Sequence, residues 1–161
     1  MIRITVLGIG NILLQDEGLG VRTIERLINK YRFPDNIQVL DGGTLGMGLI
    51  PFLEGTNRLL IVDAVSGKLP PGSIYELRAG EVKTYFQQKV SIHDLGIQDV
   101  LATMEVLDKP IKEVVVIGMQ PETMEAGLEL SLVVSKGIEQ LENLVLKQLA
   151  AWQAGGGKEV G

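Results

Sequence analysis

The sequence predicts a three-layer α/β/α sandwich around a mostly parallel five-stranded sheet with one antiparallel strand. Short apolar runs alternate along the chain with segments whose apolar residues repeat at helical spacing. The run from Leu59 to Val62 is apolar throughout, as in a parallel strand buried on both faces. A strand-like run at 73–77 follows the preceding strand too closely for a helical crossover, so we expect it to be the antiparallel one.

The first predicted strand runs from Ile2 to Leu7, and Gly8 and Gly10 are expected to end it in a tight turn. Because it is short, apolar and β-branched, we expect it to lie inside the sheet. A helix follows the turn. Its apolar face consists of Val21, Ile24, Leu27, Ile28 and Tyr31.

The second strand is predicted at 37–40 and ends in Asp41, and the third, at 59–62, ends in Asp63. Residues 45–52 between them are expected to form a short helix or loop. After the antiparallel strand we expect a long connection and then a helix that starts near Gly96. Its apolar face consists of Ile97, Val100, Leu101, Met104 and Leu107.

The fifth strand is predicted at 113–117, and a long C-terminal helix follows it, with Ser131 as a candidate N-cap. The apolar face of this helix consists of Val134, Ile138, Leu141, Val145, Leu149 and Trp152. We expect residues 1–153 to form one domain and the glycine-rich residues 154–161 to form a flexible tail.

Composition excludes several classes of function. Hydrophobic residues make up 45% of the 161 residues, but no run approaches the ~18 apolar residues that a membrane span requires. The first residues have a strand pattern rather than that of a targeting segment, so we expect a soluble, cytoplasmic protein. We also expect it to be a monomer. The chain has no cysteine, which excludes thiolate metal sites and a cysteine nucleophile. A net charge of −5 without a basic cluster argues against a nucleic-acid partner.

Acidic residues follow several of the predicted parallel strands. The carboxyl ends of such strands share one edge of the sheet, so we expect that edge to carry Glu17, Asp41, Asp63 and either Gln120 or Glu122. A crossover helix runs opposite to its strands, so the helix starting near Gly96 should carry His93, the only histidine, to the same edge. Carboxylates and one imidazole, without nearby Lys or Arg, suit a divalent metal ion.

Simpler interpretations of these residues stay open. Asp16 and Glu17 are also typical of a first helical turn, where acids cap the helix or compensate its dipole. A single histidine beside a helix start is often a structural hydrogen-bonding group. Gly8 and Gly10 resemble the start of a dinucleotide-binding fingerprint, but the third glycine is replaced by Leu13, which weakens a nucleotide-binding interpretation.

The sequence resembles the hydrogenase maturation endopeptidases, which process the large subunit of nickel-iron hydrogenases, over roughly residues 4–152. The segment GIGNILLQDEGLG at 8–20 is the most specific piece. DGGT at 41–44, LIVDA at 60–64 and SIHDLG at 91–96 occur in the expected order and spacing. The resemblance implies that Glu17, Asp63 and His93 are the metal triad. It also implies that Glu17 and Asp63 are catalytic and that Asp41, Gly42, Gly43 and Thr44 contact the substrate.

The resemblance further implies the activity: removal of a C-terminal extension from the large-subunit precursor after nickel insertion. Nickel is then carried by the precursor rather than held by the free enzyme. The metal could polarise the scissile carbonyl, or a carboxylate such as Asp63 or Asp41 could activate water as in an aspartyl-type protease. Two alternatives are a catalytically silent nickel-binding or chaperone protein on the same scaffold, and a nucleotide-binding α/β protein.

Overall fold

A computed structural model of the chain describes residues 2–88 and 96–154. Within these ranges the sheet has five strands. They are β1 (Ile4–Ile9), β2 (Ile37–Gly43), β3 (Arg58–Ala64), β4 (Ile74–Arg78) and β5 (Glu113–Met119). Their order across the sheet is β2-β1-β3-β5-β4. β4 pairs antiparallel with β5, whereas the other neighbours pair in parallel, which confirms the predicted topology.

Helices connect the strands. They are α1 (Leu19–Lys30), α2 (Ile50–Leu53), α3 (Gly80–Gln88), α4 (Ile97–Val106) and α5 (Leu132–Ala154), with 3-10 turns at Gln15–Gly18 and Gly46–Leu49. α4 begins after Gly96, as predicted. Ser131 caps α5, because its Oγ accepts a hydrogen bond from the Val134 amide at 3.5 Å. The sequence indicated only a long connection where the structure has α3.

Two helical layers cover the two faces of the sheet, which confirms the three-layer architecture. α1 and α5 pack on one face, where Leu27 and Leu141 are fully buried with Leu60 of β3. α2, α3 and α4 pack on the other, where Val100 is fully buried with Ile61. Neighbouring residues of β3 thus enter opposite cores, as its continuous apolar run predicts.

Gly8, Asp41 and Asp63, which the sequence predicted to close their strands, lie inside the ladders instead. Gly8 pairs with Asp41 of β2 on one side and with Val62 of β3 on the other, so the ladder continues past the glycine to Ile9. Asp63 likewise pairs with Gly118 of β5. Neighbouring strands therefore keep their backbone hydrogen bonds to the level of the acids, and the acids are held by the sheet itself rather than by loops.

The ends of the described chain bear on two further predictions. α5 continues to Ala154, and residues 155–161, the rest of the predicted tail, lie outside the described residues. Among the helices that the structure describes, none is long and apolar enough to cross a membrane.

Candidate active site

The parallel strands β1, β2, β3 and β5 end on the same edge of the sheet. The strand order changes direction between β1 and β3, because the chain moves from β1 to β2 on one side and then returns to β3 on the other. Ligands of open α/β sheets bind at such a switch point. The segments after β1 and β2 and the end of β3 carry most of the site residues that the sequence predicts.

Asp63, near the end of β3, is almost completely buried, with 1% of its surface exposed. The hydroxyl of Tyr85, on α3, donates a hydrogen bond to Asp63 Oδ2 at 2.7 Å. Burial, and then the neighbouring Asp63 carboxylate, raise the pKa of Tyr85 far above its ordinary value. Tyr85 therefore stays protonated and remains a donor to Asp63. The sequence analysis missed this residue.

Glu17 lies half-buried in the 3-10 turn that precedes α1. Gly10, with φ of 128°, holds the segment after β1 against this turn, and a Cβ there would overlap the Glu17 carbonyl oxygen. A Cβ on Gly20, at the start of α1, would overlap the carbonyl oxygen of Val62, the residue before Asp63. These close approaches hold the 3-10 turn and the start of α1 against the ends of β1 and β3.

Asp16 has a different environment from its neighbour Glu17. It is fully buried, and its carboxylate accepts hydrogen bonds from the amides of Glu122 and Thr123 at 2.9 and 3.1 Å. The amide and the hydroxyl of Ser131 also donate to it, both at 2.7 Å. Asp16 therefore ties the segment between β5 and α5 to the 3-10 turn.

Neither acid occupies an N-cap position. The N-cap residues of the 3-10 turn and of α1 are Leu14 and Gly18, and neither makes a side-chain cap hydrogen bond. Gln15, just before the two acids, has φ of 46°, a left-handed conformation that non-glycine residues rarely adopt. Its amide donates to the Gly127 carbonyl at 3.0 Å. Asp16 and Glu17 are therefore not N-cap residues, although both lie in the first turn of the 3-10 helix as that interpretation expects, and the segment after β5 fixes the backbone there.

A cavity of about 270 Å³ opens between the ends of β1 and β2. Its lining residues come from the first motif, α1 and the second motif: Gly10, Asn11, Ile12, Leu13, Val21, Asp41, Gly43 and Thr44. Three of the four predicted substrate-contacting residues thus line one cavity, and Asp41 and Thr44 are exposed there. Gly42 is buried, facing Leu7 and Leu49, and does not line it.

Gln120 and Glu122, the other candidates for this edge, have contacts that organise neighbouring segments. Gln120 Oε1 accepts hydrogen bonds from the Gly67 amide at 2.7 Å and from the Tyr75 hydroxyl at 2.8 Å. These bonds order the segment that follows β3. The side chain of Glu122 is exposed, and its amide is one of the donors to Asp16.

The predicted metal triad combines two described residues with one outside the described ranges. Glu17 and Asp63 are oxygen donors on adjoining elements at the switch point, and such donors with an imidazole suit a divalent ion. His93 lies outside the described residues. In residues 2–88 and 96–154 no group of three or more Asp, Glu or His side chains is placed to hold a metal ion. The triad stays a prediction.

The turn after β1 differs from a dinucleotide-binding turn. In that motif the glycine-rich turn leads directly into a helix whose N-terminal amides hold the pyrophosphate. Here a 3-10 turn lies between them, and α1 begins only at Leu19. Leu13, at the position of the third glycine, is 59% exposed. The geometry does not favour the nucleotide-binding alternative.

Comparisons with known proteins agree with this geometry. Residues 21–148 match the family model described as HycI: Hydrogenase maturation protease. The chain is 42% identical over 148 residues to hydrogenase 2 maturation protease of Escherichia coli K12, covering 91% of this chain and 90% of the relative. It is 41% identical over 152 residues to hydrogenase expression/formation protein HupD of Bradyrhizobium diazoefficiens, covering 93% of this chain and 79% of the relative.

A solved structure is also similar over nearly the whole chain. The hydrogenase maturating endopeptidase HybD from Escherichia coli superposes with a TM-score of 0.85 at 38% identity, covering 98% of this chain and 96% of that one. The family match, the sequence identity and the shared fold lead to one conclusion. The chain belongs to the hydrogenase maturation protease family and is a peptidase.

Proposed function

We propose that this peptidase removes the C-terminal extension from the large-subunit precursor of a nickel-iron hydrogenase after nickel has been inserted. The observation that carries the proposal is Asp63, a buried carboxylate at the switch point of the sheet. At the same edge, Asp41 of β2 lines the cavity between the ends of β1 and β2. The names of the similar proteins support the substrate class, since they are hydrogenase maturation proteases.

In this proposal nickel arrives as part of the substrate. Glu17, Asp63 and His93 would bind the ion while the precursor keeps its own ligands, because three protein groups leave coordination positions open. The nickel would then fix the precursor against this edge of the sheet. The extension would lie in the cavity at Asp41, Gly43 and Thr44, where polar groups and backbone are accessible.

Two routes to hydrolysis fit these residues. The bound ion can polarise the scissile carbonyl so that water attacks it. A carboxylate can instead take a proton from the attacking water, and Asp63 and Asp41 are the candidates. Their environments differ, since Asp63 is buried and bonded to Tyr85 whereas Asp41 is exposed. Replacing each by Asn separately distinguishes their contributions.

The direct test is mass spectrometry of a nickel-loaded precursor before and after incubation with this protein. We expect one shortened large subunit and one released C-terminal peptide. A precursor engineered without the extension serves as the control and should keep its mass. A precursor that binds the protein but stays intact would contradict the proposal and favour the silent nickel-binding alternative.

The proposal includes a monomeric, cytoplasmic enzyme. Light scattering on the purified protein tests the oligomeric state, and fractionation of the producing cells tests the location.

A further inference from the structure

Tyr85 is held in place by the helix that carries it. On α3, Val82 and Phe86 are each 6% exposed and pack into the core on one face of the sheet. Tyr85 lies between them in sequence, and its ring contacts that of Phe86 with centroids 5.3 Å apart. Its hydroxyl reaches the end of β3, at 2.7 Å from Asp63 Oδ2 and 3.5 Å from the Ala64 carbonyl oxygen.

The hydrogen bond has a clear direction. A buried carboxylate is costly unless donors compensate the lost water, and a phenol is a neutral donor that leaves the carboxylate its charge. An ionised carboxylate can only accept a hydrogen bond, so the Tyr85 hydroxyl is the donor. Tyr85 is also absent from the lining of the cavity where the extension would bind. The contact that carries the inference is the one between the Tyr85 hydroxyl and Asp63.

We propose that Tyr85 is a positioning residue, whose hydroxyl fixes the Asp63 carboxylate in the orientation in which it acts on the nickel-loaded precursor. The inference rests on the proposed function for the identity of that substrate. Groups that hydrogen-bond a metal-binding carboxylate orient it, and their removal typically costs about 10–100-fold in affinity or activity. Sites whose acting groups are locked by such partners avoid reorganisation during the reaction.

The variant Tyr85→Phe tests this directly, because it removes only the hydroxyl. We expect kcat for tail release to fall about 10–100-fold. KM for the precursor should rise as well, because Asp63 also binds the nickel by which the precursor is held. If Tyr85→Phe only destabilised the fold, the fraction of active protein and the melting temperature would fall together. The melting temperature of each variant is therefore measured, and the assays are run below it.

Tyr75→Phe is the matched control. The Tyr75 hydroxyl is also hydrogen-bonded, but its partners in the described part of the chain are Gln120 Oε1, to which it donates at 2.8 Å, and the Leu69 amide, from which it accepts at 3.1 Å, rather than Glu17 or Asp63. We expect this variant to keep the wild-type kcat. Equal losses of kcat in the two variants, or none in Tyr85→Phe, would overturn the inference.

A structural measurement separates this inference from the proposed function. In crystal structures of the wild type and of Tyr85→Phe, we expect the Asp63 carboxylate to rotate or shift in the variant only. An unchanged carboxylate would overturn the role of Tyr85, whether or not the precursor is cleaved. If the wild type cleaves no precursor, the proposed function fails, and the position of Asp63 alone then decides whether Tyr85 positions it.

Discussion

At the scale of single residues, Asp63 is both a buried carboxylate and a candidate catalytic group. Asp63→Asn removes the charge but keeps an acceptor oxygen for the Tyr85 hydroxyl. We expect the rate of tail release to fall by about 10²–10⁴-fold, whether the carboxylate binds the metal or activates water. The free energy of unfolding should stay within about 1–2 kcal/mol of the wild type, because the side chain keeps its shape.

Mass spectrometry of the precursor and chemical denaturation measure the two effects. Asp35→Asn is the control, because Asp35 is exposed before β2, at the opposite edge of the sheet. A variant of Asp63 that cleaves at the wild-type rate would remove this residue from the site.

The role of His93 is predicted from the sequence alone, since this residue lies outside the described ranges. The prediction is that His93→Ala abolishes tail release while the melting temperature changes little, because a metal-binding residue in an open site contributes little packing. Mass spectrometry and thermal unfolding followed by circular dichroism are the measurements. Cooperative unfolding at a much lower temperature would show that the histidine is a structural hydrogen-bonding group instead.

At the scale of elements, two adjacent acids of the 3-10 turn have separate tasks. Asp16→Asn replaces a buried carboxylate that accepts four hydrogen bonds with an amide that cannot accept them all. We expect the free energy of unfolding to fall by about 2–3 kcal/mol, since donors to a charged group lose their partner. Guanidinium denaturation measures this loss.

Glu17→Gln is the companion variant in the same turn. Glu17 is half-buried, and the substitution keeps its size, so the free energy of unfolding should change by less than about 1 kcal/mol. Tail release should nevertheless be lost, because an amide is a poor substitute for a carboxylate on a divalent ion. The reverse pattern, with Asp16 needed only for cleavage and Glu17 only for stability, would exchange their assigned tasks.

Periodic apolar patterns account for the elements that the sequence predicts. β3 and α5 bury long, regular sets of apolar residues, so the apolar pattern alone was sufficient to predict both elements. α3 was not predicted, because within residues 80–87 only Val82 and Phe86 are buried and Tyr85 is partly buried, in an otherwise polar stretch. Sheet ladders continuing through Gly8 and Asp63 also could not be inferred, since strand ends depend on pairing with neighbours.

The site was predictable where the topology alone brings residues together. The carboxyl ends of the parallel strands place Asp41 and Asp63 at one edge, and that follows from the order of elements. The partners of the acids depend instead on contacts between distant parts of the chain. Asp16 and Ser131 are 115 positions apart, and Asp63 and Tyr85 are 22 apart, with no local pattern linking them. Only the folded chain shows which acid is structural.

At the scale of the whole molecule, cleavage should depend on nickel that the precursor brings to the edge of the sheet. Three nitrogen and oxygen ligands without a thiolate hold a free divalent ion weakly, so we expect the isolated protein to be purified largely without metal. A nickel-loaded precursor supplies the remaining ligands, and its extension is then held beside Asp63 and Asp41. An unloaded precursor offers no ion to bind and should stay uncut.

The assay presents nickel-loaded and nickel-free precursor in parallel, with a chelator added to the second, and follows tail release by mass spectrometry. We expect release from the loaded precursor only, because the ion both binds the precursor and orients the scissile bond. Adding nickel back to the nickel-free precursor, after the chelator is removed, should restore release. Equal rates from both would instead indicate a protease that works through its carboxylates or through a metal ion of its own. Recognition of the precursor would then depend only on the contacts that its extension makes in the cavity at Asp41.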